Sequence, residues 1–247
     1  MINELPIVSQ AFEICSFEAD PHSRIKAVAL QNLLQEMAYK GSDFCKCGQA
    51  MMQAKGLFWA LNRIHFHILD APMWGDKVIL QTWSYGQAGP LWHRNFKMVR
   101  PDAPDVPIVL GTSAWTIVTI GERSICREDP GFDASRHYAL DTLPLCTAKI
   151  MVPKELEQCA AGCRKVVWSD LDTNMHANNC AYTQWAVDAM PFDYVNSHII
   201  KDVEVNYYHE IHPGETVEFF IARTGDTWYV TGKSGDAVCF VEKLKFD

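Results

Sequence analysis

Residues 168–179 read Trp168-Ser169-Asp170-Leu171-Asp172-Thr173-Asn174-Met175-His176-Ala177-Asn178-Asn179. Two carboxylates, one His and three Asn crowd in here, directly ahead of a helical pattern from about Asn178 to Met190. Tyr182, Trp185 and Ala189 give that helix one apolar face. A helix start explains one or two of the polar residues, because Asp and Asn are good N-caps and a carboxylate there is favoured by the helix dipole. It does not explain Asp-x-Asn-x-His as a set. If the segment is extended, Asp172, Asn174 and His176 share one side. They would then converge on a ligand whose developing negative charge faces the open N–H groups near Asn178.

Strand patterns follow the helix at Ile199–Tyr208, Thr216–Arg223, Thr227–Lys233 and Ala237–Phe246. In the last, Val238, Phe240, Leu244 and Phe246 alternate with Cys239, Val241, Lys243 and Lys245. The same order of elements occurs earlier. A strand-like stretch near Phe12–Phe17 leads to a helix from about Ser23 to Lys40, with Leu30, Leu33, Leu34 and Met37 as its buried stripe. Strands are expected around Ile64–Ile68, at Val78–Tyr85, Trp92–Val99 and Val109–Ile120, with Gly86–Pro90 and Pro101–Pro107 as turns. Trp74-Gly75-Asp76-Lys77-Val78 answers Pro213-Gly214-Glu215-Thr216-Val217. The chain therefore reads as α+β, a sheet wrapped around a helix and then duplicated. The expected limits are 1–121 for the first repeat, 122–157 for a Pro-, Asp- and Arg-rich connector crossing the surface, and 158–247 for the second.

The bulk numbers suit this reading. At 48% hydrophobic and 21% charged residues the 247-residue chain is of ordinary globular type. Its start, Met1-Ile2-Asn3-Glu4-Leu5-Pro6, lacks the basic and apolar parts of a secretory signal, and Ile108–Ile120 is too short to span a bilayer. A cytoplasmic location without membrane attachment is expected. Nine cysteines without a framework rhythm read as reduced thiols. Neither Cys45-Lys46-Cys47 nor Cys159 with Cys163 has zinc-knuckle spacing, and His209-Glu210-Ile211-His212 is one residue short of a zincin motif. No metal and no cofactor are expected. A net charge of −8 argues against nucleic acid. From Met151 onward 8 Lys+Arg stand against 15 Asp+Glu, while residues 1–150 carry 14 against 15. A surface for an acidic partner is expected on the first half or the connector.

The segment from Trp168 to Asn179 resembles the active-site word of plant and bacterial acyl-acyl-carrier-protein (acyl-ACP) thioesterases. Leu33-Leu34-Gln35-Glu36, Trp74-Gly75-Asp76 and Gly111-Thr112-Ser113-Ala114-Trp115 fall where that family has similar words. The resemblance implies two tandem hot-dog folds, hydrolysis of acyl-ACP to free fatty acid, and one site in the second repeat. By position it implies catalytic Asp172, Asn174, His176 and Glu210, the last in Tyr207-Tyr208-His209-Glu210-Ile211. Plant members carry Glu-Cys there, where this chain has Ile211, so a thiol nucleophile at that place is excluded and water must attack. Glu210 is the preferred base, with Asp172 sharing or orienting, and the helix start near Asn178 holding the oxyanion. Residues around Leu57-Phe58-Trp59 are candidates to line an acyl tunnel.

The first repeat is an internal control. Aligned through Gly75 and Gly214, Glu210 faces Ala71; aligned through the helices without gaps, Asp172, Asn174 and His176 face Ala19, Pro21 and Ser23. The first repeat is then the acyl-binding and structural half. Acyl-carrier protein is acidic, so Arg123, Arg127, Arg136 and Lys149 are its docking candidates. Cys180, on the helix after the active-site word, is the thiol expected to confuse an alkylation test. Three other readings are an acyl-CoA thioesterase on the same fold, a hydratase or dehydratase using an Asp/His pair, and a non-catalytic acyl-binding module. Monomer and homodimer both stay open, because a tandem repeat already satisfies hot-dog pairing.

Overall fold

A computed structural model describes residues 5–127 and 130–247. Residues 1–4 of the expected first repeat and 128–129 of the expected connector lie outside the described residues. The chain divides into two units, Met1–Thr147 and Ala148–Asp247.

The first unit runs β1 (Val8–Glu13), α1 (Ala27–Phe44), α2 (Gln49–Ala54), β2 (Leu57–Ile68), β3 (Lys77–Ala88), β4 (Leu91–Arg100) and β5 (Ala103–Thr119). Its strands pair antiparallel in the order β1-β3-β4-β5-β2. The apolar stripe decides which face of α1 turns inward: Leu30, Leu34 and Met37 are fully buried, and the helix lies on β1 and β3. Leu34→Ala there would cost roughly 2–5 kcal/mol. The helix starts later than its pattern because residues 20–24 are held in a turn around Asp20. It then runs through Gly41, where an added Cβ would lie 2.0 Å from the Arg94 guanidinium. The expected turn at Pro101–Pro107 is in part strand. β5 begins at Ala103, and the two prolines enter where its register against β4 shifts, an irregularity that tolerates a missing N–H.

Much of the connector packs on this first unit. The Tyr138 amide donates to the Ser84 carbonyl at 2.8 Å, and Thr142 Oγ1 to the Gly111 carbonyl at 2.6 Å. Trp83 Nε1 and Asn95 Nδ2 both donate to the Leu140 carbonyl, at 2.9 and 2.7 Å. Two buried polar side chains of β3 and β4 thus find partners that the sheet alone does not supply.

The second unit runs β6 (Cys159–Lys165), α3 (Asn179–Asp188), α4 (Phe192–Ser197), β7 (Ile200–Tyr207), β8 (Thr216–Thr224), β9 (Thr227–Ser234) and β10 (Ala237–Phe246). Its antiparallel order, β6-β8-β9-β10-β7, repeats that of the first unit element for element. β6 lacks a readable pattern because it is a mostly exposed edge strand of small residues. Tyr182 and Trp185 carry α3 onto the sheet, with the Tyr182 ring 5.1 Å from that of Phe240. No helix of the described residues is long and apolar enough to cross a membrane.

Candidate functional site

The word Trp168–Asn179 is not extended. Residues 168–170 form a single helical turn, and Leu171 then bridges Ala177 to close a tight loop. Met175, at φ 62°, makes the reversal. The Asp172 carboxylate is the hub: Oδ1 accepts from the Asn174 amide at 2.8 Å and the His176 amide at 3.2 Å, and the Asp172 amide donates to the His176 carbonyl at 2.8 Å. Asn174 and His176 are gathered by this Asx-type turn rather than by strand alternation. Behind it, Asp170 is buried, accepting from Arg164 Nη2 at 2.7 Å and the Val167 amide at 2.9 Å.

The loop is tied to the segment after β7 by the Ala177 amide, which donates to the Ile211 carbonyl at 2.8 Å. Ile211 is fully buried, which places its neighbours Glu210 and His212 toward solvent. Glu210 Oε1 lies 3.6 Å from His176 Nδ1, and the His212 ring packs edge-on to His176 with centroids 4.8 Å apart. The structure therefore brings together Asp172, Asn174, His176 and Glu210. His212 joins them, although the sequence reading gave it no role. His176, Glu210 and His212 offer donor atoms all within 4.8 Å of one another, a set able to hold a divalent ion.

Asn178 stands at the helix start, where the sequence placed it. It is the N-cap of α3, its Oδ1 accepting from the Cys180 amide at 2.9 Å, while the Ala181 amide already bonds the Asn178 carbonyl at 2.8 Å. The Cys180 and Ala181 amides are therefore paired within the helix start. Cys180 is buried, and burial raises its thiol well above the ordinary range, which makes it a poor target for alkylation.

The first unit carries the same loop with different chemistry. Ala19 bridges Ile25, and Ser23 has φ 63°. Asp20 Oδ1 accepts from the His22 and Arg24 amides at 2.8 and 2.9 Å, and the Ile25 amide donates to the Pro72 carbonyl at 2.8 Å. The true register is thus one residue off the gapless helix alignment: Asp172 answers Asp20, Asn174 answers His22, and His176 answers Arg24. Glu210 does face Ala71. The shift went unseen because the turn is defined by hydrogen bonds to backbone, which tolerate any side chain at the amide positions.

The first unit also contains a cavity between α1, the strands and the connector. Trp59, Trp92, Trp115 and Phe132 wall it, with Ser84, His93, Arg94 and His137 among its polar lining. Trp59 and Trp92 meet edge-on at 6.0 Å, and Phe132 lies 5.1 Å from Trp92. Of the docking candidates, Arg123 is exposed over the Phe58 ring at 5.5 Å and Arg127 is exposed. Lys149, in the second unit, sits over Tyr208 at 5.4 Å. Arg136 is differently employed, donating to the Phe44 carbonyl at 2.7 Å and pairing with Asp133 at 3.4 Å, so it closes the end of α1.

One further group escaped the sequence reading. Glu242 is fully buried beneath α3, with Thr183 Oγ1 donating to it at 3.3 Å, and burial pushes its carboxyl up to about 8. Its signal was present: in β10 it occupies the inward position between Phe240 and Leu244.

Antiparallel strands around one helix, given twice in the same order, make this a tandem hot-dog protein. An acyl-ACP thioesterase from Bacteroides thetaiotaomicron superposes with a TM-score of 0.85 at 21% identity, covering 98% of both chains. A 12:0-ACP thioesterase from Umbellularia californica does so at 0.86 and 18%, covering 99% of this chain and 98% of that one. The chain belongs to the acyl-ACP thioesterase family: residues 7–133 match its N-terminal domain and residues 154–237 its C-terminal domain. Among curated relatives, the chloroplastic oleoyl-acyl carrier protein thioesterase 1 of Arabidopsis thaliana is 23% identical over 92% of this chain. The chloroplastic dodecanoyl-[acyl-carrier-protein] hydrolase of Cinnamomum camphora is 26% identical over 83%. The chain spans 66% and 56% of the length of these two relatives.

Proposed function

We propose that this chain hydrolyses the thioester of a fatty acyl-ACP, releasing free fatty acid and the carrier protein, by attack of water. The observation that carries the reading is the contrast between two turns of one geometry. Where the first unit has Arg24 and Ala71, the second has His176 and Glu210, 3.6 Å apart. A scaffold kept in both units is structural; the groups that differ are the ones a reaction needs.

Glu210 acts as general base, taking a proton from a water held beside His176. Asp172 is less suited to that task, because the lone pairs of its Oδ1 already serve two backbone amides. It positions Asn174 and His176, whose carboxamide and imidazole bind the thioester carbonyl and stabilise the charge that develops on its oxygen. The thiol of the carrier's prosthetic arm leaves. The aromatic cavity of the first unit takes the acyl chain, its wall including Trp59 from the stretch first nominated for a tunnel. Arg123, Arg127 and Lys149 meet the acidic carrier.

Incubating the protein with acyl-ACP and with the matching acyl-CoA, and following free thiol and free acid, tests the reading. Equal release of both products from acyl-ACP at a higher kcat/KM than from acyl-CoA is the expected result. Preference for acyl-CoA would move the chain to the rival thioester, and binding without release would make it a non-catalytic acyl carrier.

A further inference from the structure

Two segments of the second unit meet at the loop ahead of α3. The Ala177 amide donates to the Ile211 carbonyl at 2.8 Å, which ties the residue after His176 to the residue between Glu210 and His212. Ile211 is fully buried, while Glu210 and His212 on either side of it are exposed and His176 is half-buried. Glu210 Oε1 lies 3.6 Å from His176 Nδ1, and the His212 ring stands edge-on to His176 with centroids 4.8 Å apart. One donor atom from each of the three residues lies within 4.8 Å of the other two.

These spacings fit one small cation. In a tetrahedral zinc site with bonds of about 2.0–2.1 Å, neighbouring donors stand roughly 3.3 Å apart. His176 and Glu210 are already close to that separation, and the exposed His212 ring closes the remainder by side-chain rotation. The backbone is fixed in advance, because the Asp172 carboxylate also accepts the His176 amide at 3.2 Å. Two imidazoles and one carboxylate suit zinc, whereas Mg²⁺ and Ca²⁺ prefer sets made of oxygen alone.

The first unit shows that the donor set is no by-product of the turn. There Arg24 bridges Met73, and the Ile25 amide donates to the Pro72 carbonyl at 2.8 Å, the same backbone contacts in the same places. The counterparts of His176, Glu210 and His212 are Arg24, Ala71 and Met73, none of them a zinc donor. The hydrolysis described above uses His176 and Glu210 but gives His212 no part. A metal gives all three a common purpose.

We propose that His176, Glu210 and His212 form a zinc site that shuts off hydrolysis when filled. The ion takes one ring nitrogen from each His and one oxygen from Glu210, and solvent completes its shell on the exposed side. The control rests on the reaction proposed above. A Glu210 carboxylate bound to Zn²⁺ cannot take a proton from water, and a His176 imidazole held by the ion cannot bind the thioester carbonyl. Metal and substrate then compete for the same two side chains.

Full-length protein stripped with EDTA and desalted is titrated with ZnCl₂ in a calorimeter, and with CoCl₂ followed by visible absorption. A tight site for one ion per chain is expected, with tetrahedral cobalt bands and no thiolate-to-cobalt charge transfer. His212→Ala and His212→Gln should each weaken zinc at least about tenfold, since even the loss of an outer partner of a ligand costs that much. Zinc should lower kcat/KM for acyl-ACP and EDTA should restore it. In His212→Ala the zinc needed for half-inhibition should rise by the same factor as the Kd. Thiolate charge transfer, or unchanged zinc affinity in both His212 variants, would overturn the site. Zinc that binds as expected but leaves hydrolysis unchanged or speeds it, as a metal-bound hydroxide would, overturns the control. A metal-free protein that releases no fatty acid would refute the reaction instead, while the titrations still decide the site.

Discussion

Asp20 and Asp172 hold the same turn, one in each unit. Each carboxylate Oδ1 accepts two backbone amides, at 2.8 and 2.9 Å for Asp20 and at 2.8 and 3.2 Å for Asp172. Each turn also ends on an amide bonded to a carbonyl just before the Gly75 or Gly214 turn, at 2.8 Å in both units. Asp20 adds an ion pair to Arg24 at 2.8 Å, where Asp172 has His176 in the same place. One geometry thus serves as pure architecture in the first unit and as a chemical platform in the second.

This separates the two aspartates experimentally. Asp20→Ala should destabilise the protein by about 1.5–3 kcal/mol, the usual worth of a hydrogen bond to a charged group, while leaving kcat of the folded fraction unchanged. His22→Ala should change neither stability nor kcat. Denaturant unfolding alongside steady-state kinetics reads both. A kcat loss at Asp20 as large as that of His176→Ala would place the chemistry in the wrong unit.

Glu210→Gln keeps shape and hydrogen-bonding capacity but cannot accept a proton from water. We expect kcat to fall roughly 10²–10⁴-fold with KM little changed. If the variant retains near-native kcat, Asp172 inherits the role of base, and Asp172→Asn should then show the loss.

Thiol alkylation should leave hydrolysis intact, in Cys180→Ser as in the unaltered protein. Ile211 offers no nucleophile, and Cys180 is buried with a raised thiol. An acyl group trapped on any cysteine during turnover would sink the water mechanism.

Reversing Arg123 and Arg127 together to Glu should raise KM for acyl-ACP and affect a short acyl-CoA much less, with the difference shrinking at high salt. Arg136 is unsuitable for this test, because it anchors the end of α1. Equal effects on both substrates would remove the docking role.

Glu242 gives a pH signature. Burial raises its carboxyl from 4.5 to about 8, so the folded state keeps a proton that the unfolded chain loses in between. The associated stability is complete below about 4.5 and is lost as pH rises to about 8. Glu242→Gln imitates the protonated form and should flatten this slope, raising Tm by several degrees at pH 8 and far less at pH 5. Parallel Tm–pH curves for the two proteins would show that Glu242 does not titrate in this range.

The sequence by itself determined the duplicated order of helix and strands, the buried stripe of α1, the inward faces of β2 and β10, and the group of polar residues ahead of α3. These are properties of period and local composition, which a linear pattern records. Only the tertiary structure decided how that group converges. The loop is a turn built on backbone bonds to Asp172, so its register against Asp20 left no trace in side-chain identity, and the gapless alignment missed it by one residue. Only the structure put His212 beside His176, paired the Cys180 and Ala181 amides with Asn178, and tied Arg136 to Phe44. Each of these depends on contacts between residues distant in the chain or on which amides are already paired. Neither property is carried by the pattern of the chain, because both arise when separate segments meet and compete for the same donors and acceptors.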